Sequence, residues 1–482
     1  MLTLNQALKV ASPRLSPPPT PLRAVLIHGS VMAIWVLLFA RAFVIDNVFA
    51  WSAGIVYVTY DTALLLFVFW QTLALLKPPT IAAASARRSL GVIVAAHNEA
   101  NVLPMTLAAL AAQTDAPDEI IIADDGSSDA TADMLAARYG IEAPLPGTLS
   151  EPSPIMPTLR WLRLPHGGKA QALNIALELS RTDTVMTVDA DTLVDPGGVA
   201  AMRRAFSADP TLVAATGVLM PVCSHTTSGR LLQWFQTYEY IRNFLSRYAW
   251  SRLDSLLLIS GAFAGYRRQA VLDVGGFDDA CLVEDYELTH RLLRYSVQHG
   301  LAWRTDVLGG ATARTDAPSS IPAFLQQRRR WFGGFLQTQF WYRDMIGNPR
   351  YGWLGTAMLP VKAIDTLQPI YGLLGVALLV FYLLTGNLQI LTPVAGVILG
   401  KIALDLGFHL WGVHLYRRWV GVPTNATLGS ALLSSIAEPF TFQILRHAGA
   451  ASGWLMFLTG TQTWSPQTRA GLLRTTTAEE RQ

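Results

Sequence analysis

Apolar residues form two long blocks near the start of the chain and several more after residue 360, and the region between them is patterned differently. Residues 24–45 and 51–76 are each long enough for a helix that crosses a bilayer, which takes about 20 residues. Three further blocks lie at 367–384, 390–415 and 428–458. The last contains proline and charged residues, so it is two short spans, a broken helix or a re-entrant segment. The pattern predicts membrane helices on both sides of a central domain.

The central region alternates short β-rich runs with helical stretches. The predicted strands cover residues 90–95, 120–123, 159–164 and 184–188, and predicted helices include 102–112 and 169–180. Strands that alternate with helices favour a mostly parallel sheet with helices on both faces. Ligands bind such sheets beyond the carboxyl ends of the strands. The sequence therefore predicts an α/β domain whose polar motifs meet at one edge of the sheet.

Composition supports this division of the chain. Hydrophobic residues make up 51% of the 482 residues and charged residues only 15%, a balance that indicates membrane segments. The net charge of +3 gives no indication of a nucleic-acid partner. The two cysteines, Cys223 and Cys281, indicate a reducing compartment and are expected to be buried small hydrophobic residues.

Basic residues predict the orientation in the membrane. The link between the first two apolar blocks, residues 46–50, contains no lysine or arginine, whereas Arg23 and Lys77 flank the pair. Because cytoplasmic loops are enriched in basic residues, the N-terminus and the region after Lys77 are expected in the cytoplasm.

Two acidic motifs each follow an apolar strand. Asp124-Asp125-Gly126 suits hydrogen bonds to a nucleobase and ribose, and an ordinary Asx turn is the alternative. Asp189-Ala190-Asp191 offers two carboxylates that can grip one Mg²⁺ or Mn²⁺, which would in turn hold a diphosphate. The alternative for the second motif is a helix-capping pair.

Two further motifs lie closer to the C-terminus. Glu284-Asp285 opens a helical stretch, where a carboxylate on rigid structure can take the proton from an attacking hydroxyl. The alternative is that these acidic residues stabilise a helix N-terminus. The segment 327–331 (QRRRW) combines arginine forks that match phosphate oxygens with a tryptophan face that suits a sugar ring. A basic, aromatic stretch at the membrane interface is the alternative.

Two smaller segments add to these motifs. Lys169 follows His166-Gly167-Gly168 at the start of a predicted helix and could face a phosphate, unless the segment is a plain strand-to-helix turn. Ser260-Gly261 begins a run of small residues that would let the backbone approach an acceptor, unless the run serves tight packing.

In this order the motifs resemble those of processive family 2 glycosyltransferases of the GT-A fold. Cellulose, hyaluronan, chitin-oligosaccharide and poly-N-acetylglucosamine synthases belong to that group. Residues 91–331, about half of the chain, carry the resemblance. It departs from the family at Ala95 and Ala96, where proline is frequent, at Gln171, where glycine is more usual, and at Val283, where threonine is common. The segment Trp464-Ser465-Pro466 resembles the tails of poly-N-acetylglucosamine-type synthases.

The resemblance implies a role for each matched residue. Asp285 would be the catalytic base with Glu284 beside it, and Asp189 and Asp191 would hold Mg²⁺ or Mn²⁺. The implied donor site consists of Ala95, His97, Glu99, Asp124, Asp125, Lys169, Asn174, Asp189 and Arg330. The implied acceptor site consists of Ser260, Gly261, Gln327 and Trp331.

The resemblance also predicts an organisation in six parts. These are a cytosolic N-terminal tail (1–23), two transmembrane helices (24–76), a cytosolic GT-A domain (77–320), amphipathic interface helices (321–350), transmembrane helices (351–460) and a C-terminal tail (461–482). The expected location is the plasma (inner) membrane. Lys401, Asp405 and His409 are spaced by four along one helix face, where they would line a polymer path or form local salt bridges.

The predicted reaction is a single inverting displacement. It would polymerise UDP-N-acetylglucosamine or UDP-glucose into a β-linked polysaccharide and move the product across the membrane. Expected partners are the UDP-sugar, the growing glycan, the lipid bilayer, and secretion-machinery or regulatory subunits, with no nucleic acid. The rival interpretations are a non-processive enzyme that adds one sugar to a lipid acceptor and a transporter or channel with a regulatory cytosolic domain.

Overall fold

The computed structural model describes residues 2–45, 48–77, 86–421, 428–460 and 472. The segment Trp464-Ser465-Pro466 and most of the predicted C-terminal tail lie outside these residues. The strands are β1 (Leu90–Ala96), β2 (Glu119–Asp125), β3 (Thr148–Leu149), β4 (Leu159–Leu164), β5 (Thr184–Asp189), β6 (Thr192–Val194), β7 (Leu212–Val222), β8 (Phe263–Arg267) and β9 (Arg304–Asp316).

Fifteen α-helices are present in the described ranges. They are α1 (Leu4–Ala11), α2 (Leu22–Arg41), α3 (Ser52–Thr72), α4 (Leu103–Ala111), α5 (Thr131–Tyr139), α6 (Lys169–Leu179), α7 (Gly198–Ala208), α8 (Thr227–Ser251), α9 (Arg268–Asp273), α10 (Glu284–Gln298), α11 (Ile321–Trp341), α12 (Leu359–Leu384), α13 (Leu388–Val420), α14 (Leu428–Ala437) and α15 (Phe442–Thr459). Short 3₁₀ segments cover Val48–Trp51, Leu73–Leu76, Pro349–Tyr351 and Glu438–Phe440, and Leu354–Met358 forms a π-helical turn.

The strands form one nine-stranded mixed sheet in the order β3-β4-β2-β1-β5-β8-β7-β9-β6. Strands β4, β2, β1 and β5 are parallel, and β7 also pairs in parallel with β9. Antiparallel pairs attach β3, β8 and β6. Strands β1, β2 and β5 are apolar on both faces because helices cover both, as expected for parallel strands.

The register of the parallel strands aligns their carboxyl ends. Ala96 on β1 lies opposite Asp124 on β2, and Ala95 lies opposite Asp189 on β5. Asp125 lies opposite Leu164 at the end of β4. The segments that follow these four strands therefore meet at one edge of the sheet, as the sequence predicts.

Within the described part of the chain, four helical stretches are long and apolar enough to cross a membrane: Leu22–Arg41, Phe49–Leu76, Leu354–Leu384 and Leu388–Val420. The predicted block 428–458 is a broken helix, in which a 3₁₀ turn containing Pro439 separates α14 from α15. Helix α15 packs closely on α11. A Cβ added at Gly453 would lie 2.9 Å from the backbone N of Gly333, so glycine permits this approach.

Charged residues of the apolar helices pair with one another. The Lys401 ammonium on α13 lies 2.7 Å from the Asp61 carboxylate on α3 and also contacts Asp405 on its own helix. His409 contacts Ser435 on α14. Of the two interpretations given for Lys401, Asp405 and His409, these contacts correspond to local salt bridges.

The N-terminal segment, predicted to be a tail, contacts the sheet domain. Helix α1 begins with a capping box formed by Thr3 and Gln6. The Arg14 guanidinium donates two hydrogen bonds of 2.8 Å to the Asp278 carboxylate in the loop that leads to α10. This segment is therefore docked at the domain rather than projecting from it.

Candidate active site

Polar residues from the ends of β1, β2, β4 and β5 lie near residues from the start of α10 and the middle of α11. Ala95 lies within β1, and His97, Asn98 and Glu99 follow that strand. The Asn98 side-chain oxygen accepts hydrogen bonds from the backbone N–H groups of Ser128 and Asp129 at 2.8 and 3.2 Å. The segments after β1 and β2 are thereby joined.

Asp124 is turned towards the protein interior and is 2% exposed. One carboxylate oxygen accepts from the Ser127 N–H at 2.9 Å, and the other accepts from the Trp161 indole N–H at 3.1 Å. The first of these bonds closes a local turn, but it reaches three residues ahead, whereas the Asx turn raised from the sequence reaches two. Gly126 completes the turn at φ 69°, with its Cα beside the His166 backbone.

Asp125 holds the turn that precedes α6. Its carboxylate accepts from the Gly167 N–H at 2.7 Å and from the Gly168 N–H at 3.0 Å, and it lies 2.9 Å from Nδ1 of His166. The N–H groups of Gly167 and Gly168 are therefore bonded to the Asp125 carboxylate. These bonds within the protein fix the position of Lys169 at the start of α6.

The imidazoles of His97 and His166 stack with their centroids 4.5 Å apart. Together with the Asp125 carboxylate, they offer ligand atoms that all lie within 4.8 Å of one another. Two imidazoles and a carboxylate are the ligands that zinc prefers, rather than magnesium. The sequence pattern did not single out this group as a metal site.

Lys169 joins two of the acidic motif residues. Its ammonium lies 2.6 Å from the Asp189 carboxylate and 3.5 Å from that of Glu284. Burial alone would lower the pKa of Lys169, but the charges of Asp189 and Glu284 outweigh it and the pKa rises. The structure therefore brings the second and third acidic motifs together around one cation.

Asp285 lies beside the small-residue stretch. One carboxylate oxygen accepts a hydrogen bond from the Gly261 N–H at 2.6 Å. The other accepts a hydrogen bond from the Tyr286 N–H, in the same helix as Asp285, at 2.7 Å. A Cβ added at Gly261 would lie 3.1 Å from the Asp285 carboxylate, so a larger residue would crowd it. Ser260 precedes this contact, and the Asp189 N–H donates to the Ala262 carbonyl at 3.3 Å.

Burial and the neighbouring Glu284 carboxylate raise the pKa of Asp285 to about 6. The Gly261 N–H and the Lys169 charge act in the opposite direction. A carboxylate with a pKa near 6 is ionised at neutral pH and is a stronger base than an ordinary aspartate. Asp285 can therefore accept a proton from a hydroxyl group placed beside it.

The 327–331 segment lies in α11, the helix that packs on α15. The Arg330 guanidinium donates to the Leu282 carbonyl at 3.0 Å, just before Glu284. Gln327 is buried, and its side-chain oxygen has no hydrogen-bond partner among the described residues. Trp331 packs in an apolar cluster with Val283 and Tyr286. The segment thus adjoins the start of α10.

One predicted donor residue has a structural contact instead. The Asn174 amide donates to the Phe277 carbonyl at 2.9 Å and accepts from the Phe277 N–H at 2.7 Å. Both polar ends of the side chain are used, so Asn174 braces α6 against the loop before α10. The separation of more than 100 positions between the two residues hides this pairing in the sequence.

Sequence reasoning missed residues on α8 and β8. Glu239 on α8 pairs with Arg328 of the 327–331 segment at 2.7 Å. Arg247, also on α8, is half-buried with its Nε and Nη1 atoms shielded from solvent, and Tyr266 on β8 has a buried hydroxyl. Helix α8 contains no recognisable motif. The only signal in its sequence that could have pointed to these residues is an unusual mixture of polar and aromatic positions.

Comparisons with known proteins agree with this arrangement. The sequence model of glycosyl transferase family 2 matches residues 91–275, and that of glycosyl transferase family group 2 matches residues 184–394. A mannosyltransferase from Pyrobaculum calidifontis, solved in complex with GDP-Man and Mn²⁺, has a similar structure with a TM-score of 0.54 at 20% identity. The similarity covers 81% of this chain and 99% of that one. The predicted GT-A type fold is thereby confirmed.

Similar sequences include two kinds of polysaccharide synthase. A poly-β-1,6-N-acetyl-D-glucosamine synthase from Staphylococcus aureus is 31% identical over 244 residues, which cover 50% of this chain and 53% of the relative. A hyaluronan synthase from Streptococcus pyogenes is 26% identical over 343 residues, 68% of this chain and 74% of that protein. The match thus spans about half the length of the poly-N-acetylglucosamine synthases.

Proposed function

We propose that the chain is a membrane-embedded, inverting family 2 glycosyltransferase that extends a β-linked polysaccharide from a nucleotide sugar, since the models of that family and of its family group match residues 91–275 and 184–394. The observation that carries this proposal is the position of Asp285. Its carboxylate has a raised pKa and lies between the Gly261 backbone and the Lys169–Glu284 pair. A base is thereby adjacent to a cation that suits a diphosphate.

The proposed reaction is one displacement at the anomeric carbon of the donor sugar. An acceptor hydroxyl oxygen forms a bond to that carbon while the bond from the carbon to the diphosphate oxygen breaks. Asp285 takes the hydroxyl proton, and the nucleoside diphosphate leaves with the bonding electron pair. Lys169 and Arg330 are proposed to face the charge that develops on the leaving group. Attack from the opposite face inverts an α-linked donor to a β-linked product.

The carboxylates of Asp189 and Asp191 fit a divalent cation. The Lys169 ammonium lies 2.6 Å from Asp189, so a metal ion bound there would share this carboxylate with Lys169 or displace it. Carboxylate oxygens suit Mg²⁺ or Mn²⁺, and a cation bound there supplies positive charge to the departing diphosphate. The group of His97, Asp125 and His166 is the weaker candidate, because backbone N–H groups already occupy the Asp125 carboxylate.

Three observations support polymer synthesis over transfer of one sugar. The similar proteins include a poly-N-acetylglucosamine synthase and a hyaluronan synthase. The 327–331 segment adjoins α10, and α11 packs on α15, a helix of the predicted apolar block 428–458. We propose that Gln327 and Trp331 hold the end of the growing glycan beside α10. The proposed donor is UDP-N-acetylglucosamine or UDP-glucose. The product is proposed to enter the region formed by the apolar helices. The proposed location is the plasma membrane, with the sheet domain in the cytoplasm.

The test is a donor screen with the purified full-length protein in lipid nanodiscs. Each of several nucleotide sugars is supplied with Mg²⁺ or Mn²⁺, and release of nucleoside diphosphate and product length are measured. We expect one UDP-sugar to be consumed and long glycan products to form. Products with a single sugar on a lipid would favour the lipid-acceptor enzyme. The absence of nucleotide release with every donor would overturn the proposal.

The two metal sites are separated by substitutions in the same assay. After chelation and addition of Mn²⁺, Asp191→Asn should respond to the metal much less than the unaltered protein does. His166→Asn should keep the same dependence on Mn²⁺ concentration, whatever its rate. The reverse pattern would assign the metal to the histidine group.

A further inference from the structure

The N-terminal segment, residues 2–21, packs against the loop that leads to the candidate base. This loop, residues 274–283, joins α9 to α10 and ends two residues before Asp285. Gly275 lies in the loop with φ 90°, and a Cβ added to it would lie 2.2 Å from the backbone N of Leu8 on α1. Glycine is therefore needed for the backbone of α1 to approach the loop this closely.

A buried ion pair joins the two segments. The Arg14 guanidinium donates from Nε and Nη2 to the two carboxylate oxygens of Asp278, in both cases at 2.8 Å. The Asp278 side chain is 0% exposed, whereas that of Arg14 is 25% exposed. A bidentate pair of this kind fixes the relative orientation of its two residues as well as their distance. The position of Asp278 in the loop therefore depends on Arg14.

Asp278 in turn shapes the part of the loop that enters α10. Its carboxylate also accepts from the Ala280 N–H at 3.0 Å, and its carbonyl accepts from the Cys281 N–H at 3.2 Å. The following Leu282 N–H donates to the Gln337 side chain of α11 at 3.2 Å. A continuous series of hydrogen bonds thus leads from the N-terminal segment to within two residues of α10.

Helix α10 itself also contacts the N-terminal segment. Arg294 on α10 donates to the Ala11 carbonyl at 3.3 Å and pairs with Asp344 at 3.0 Å. Ala11 is the last residue of α1, where carbonyl groups lack partners within their own helix. The N-terminal segment is therefore attached both to the loop and to the helix that carries Asp285.

We propose that Arg14 is a positioning residue for the candidate base, because it holds, through Asp278, the loop that sets the place of Asp285. The inference rests on the proposed function, in which Asp285 takes the proton of the acceptor. Loss of Arg14 would leave a fully buried carboxylate without its counter-ion, which favours a rearrangement of the loop that brings this carboxylate to water. A displacement of about 1 Å between reacting groups can cost about a hundredfold in rate, so a small rearrangement is sufficient.

The test is steady-state kinetics of the full-length protein in lipid nanodiscs, with the donor that it uses best. Arg14→Gln should lower kcat about 10- to 100-fold. The KM for the donor should stay within about twofold, because Asp124 and Asp125 are held by bonds outside this loop. Lys9→Gln removes an exposed cation from the same segment and should leave both constants unchanged.

A double variant tests whether the ion pair is the cause. In Arg14→Gln/Asp278→Asn no buried charge remains unpaired, so kcat should be about tenfold higher than in Arg14→Gln alone. Asp278→Asn alone should cost less than Arg14→Gln, since the guanidinium is partly exposed and can reach water. A kcat of Arg14→Gln within about twofold of the unaltered protein would overturn the inference. A double variant no more active than Arg14→Gln would do the same.

Hydrogen exchange gives a readout that does not depend on sugar transfer. In Arg14→Gln we expect faster exchange at the amides of residues 280–287 and unchanged exchange in β2 and β5. Faster exchange throughout the sheet domain would assign Arg14 to folding, and unchanged exchange at 280–287 would show that it does not hold the loop; either result would refute the inference. An absence of transfer with every donor would refute the proposed function instead, and the exchange result would still decide whether Arg14 holds the loop.

Discussion

The two halves of the candidate site differ in how their polar groups are satisfied. In the donor half, at the ends of β1, β2, β4 and β5, Asp124 and Asp125 accept hydrogen bonds from the protein on both carboxylate oxygens. In the acceptor half, formed by α8, β8 and α11, buried atoms of Arg247, Tyr266 and Gln327 have no partner among the described residues.

This difference indicates that the halves are stabilised in different ways. The donor half is held by bonds made during folding, so its geometry exists before any ligand arrives. The acceptor half retains buried polar groups that lower stability until a ligand supplies their partners. Substitutions in the donor half should therefore reduce stability, and substitutions in the acceptor half should reduce activity while sparing or raising stability.

Asp285 lies between the halves, and its loss is expected to have the largest effect. Asp285→Asn removes the proposed base but can still accept the hydrogen bond from Gly261. Transfer should fall about 10²- to 10⁴-fold, while the dissociation constant of the nucleotide sugar changes little. Steady-state kinetics and calorimetry measure the two quantities. A variant with nearly full activity would remove Asp285 from the role of base.

Asp125 tests the donor half. Asp125→Asn keeps the shape but replaces the charge-assisted bonds from Gly167 and Gly168 with weaker ones. We expect a loss of about 2 kcal/mol in unfolding free energy, measured from thermal unfolding in detergent. Asp133→Asn, at an exposed position on α5, is the matched control and should be near neutral. Equal stability of the two variants would contradict the idea that the donor half is fixed by folding.

The raised pKa of Asp285 predicts the pH dependence of transfer. The reaction needs the ionised carboxylate, so the rate falls as pH drops through the pKa of about 6. Well below that value each pH unit should cost about tenfold in kcat/KM. Glu284→Gln removes a neighbouring negative charge, so the midpoint should move to lower pH, whereas the exposed Glu142→Gln should leave it in place. A midpoint that moves upward would contradict the coupling.

The sequence predicts the donor half far better than the acceptor half. The apolar runs 90–95 and 184–188 correspond closely to β1 and β5, and the polar motifs follow them directly. Local pattern suffices there because strand and motif are contiguous. The pairing of Glu239 with Arg328 depends on how α8 packs, which no local pattern encodes. The contact of Asn174 with Phe277 is equally hidden, since the two residues are 103 positions apart in the sequence.

Substitution of Gln327 has the smallest expected effect, but it distinguishes most clearly between the two halves of the site. Its buried side-chain oxygen has no partner among the described residues, and leucine has a similar volume without the polar atoms. Gln327→Leu should therefore raise the unfolding free energy by about 1 kcal/mol, because an unsatisfied polar group is removed from the interior. The same change should shorten the glycan, since the acceptor end loses a hydrogen-bonding group. Gln326→Leu, at the exposed neighbouring position of α11, should leave product length unchanged.

Stability and product length together decide the interpretation of Gln327. If Gln327→Leu lowered stability and product length together, the side chain would be a structural support like Asp125, and the two halves would be built alike. If stability rose while product length fell, the unpaired oxygen would be retained for binding at the expense of folding. We expect the second result, because the neighbouring arginines of α11 are bonded to other groups: Arg328 donates to the Glu239 carboxylate and Arg330 donates to the Leu282 carbonyl.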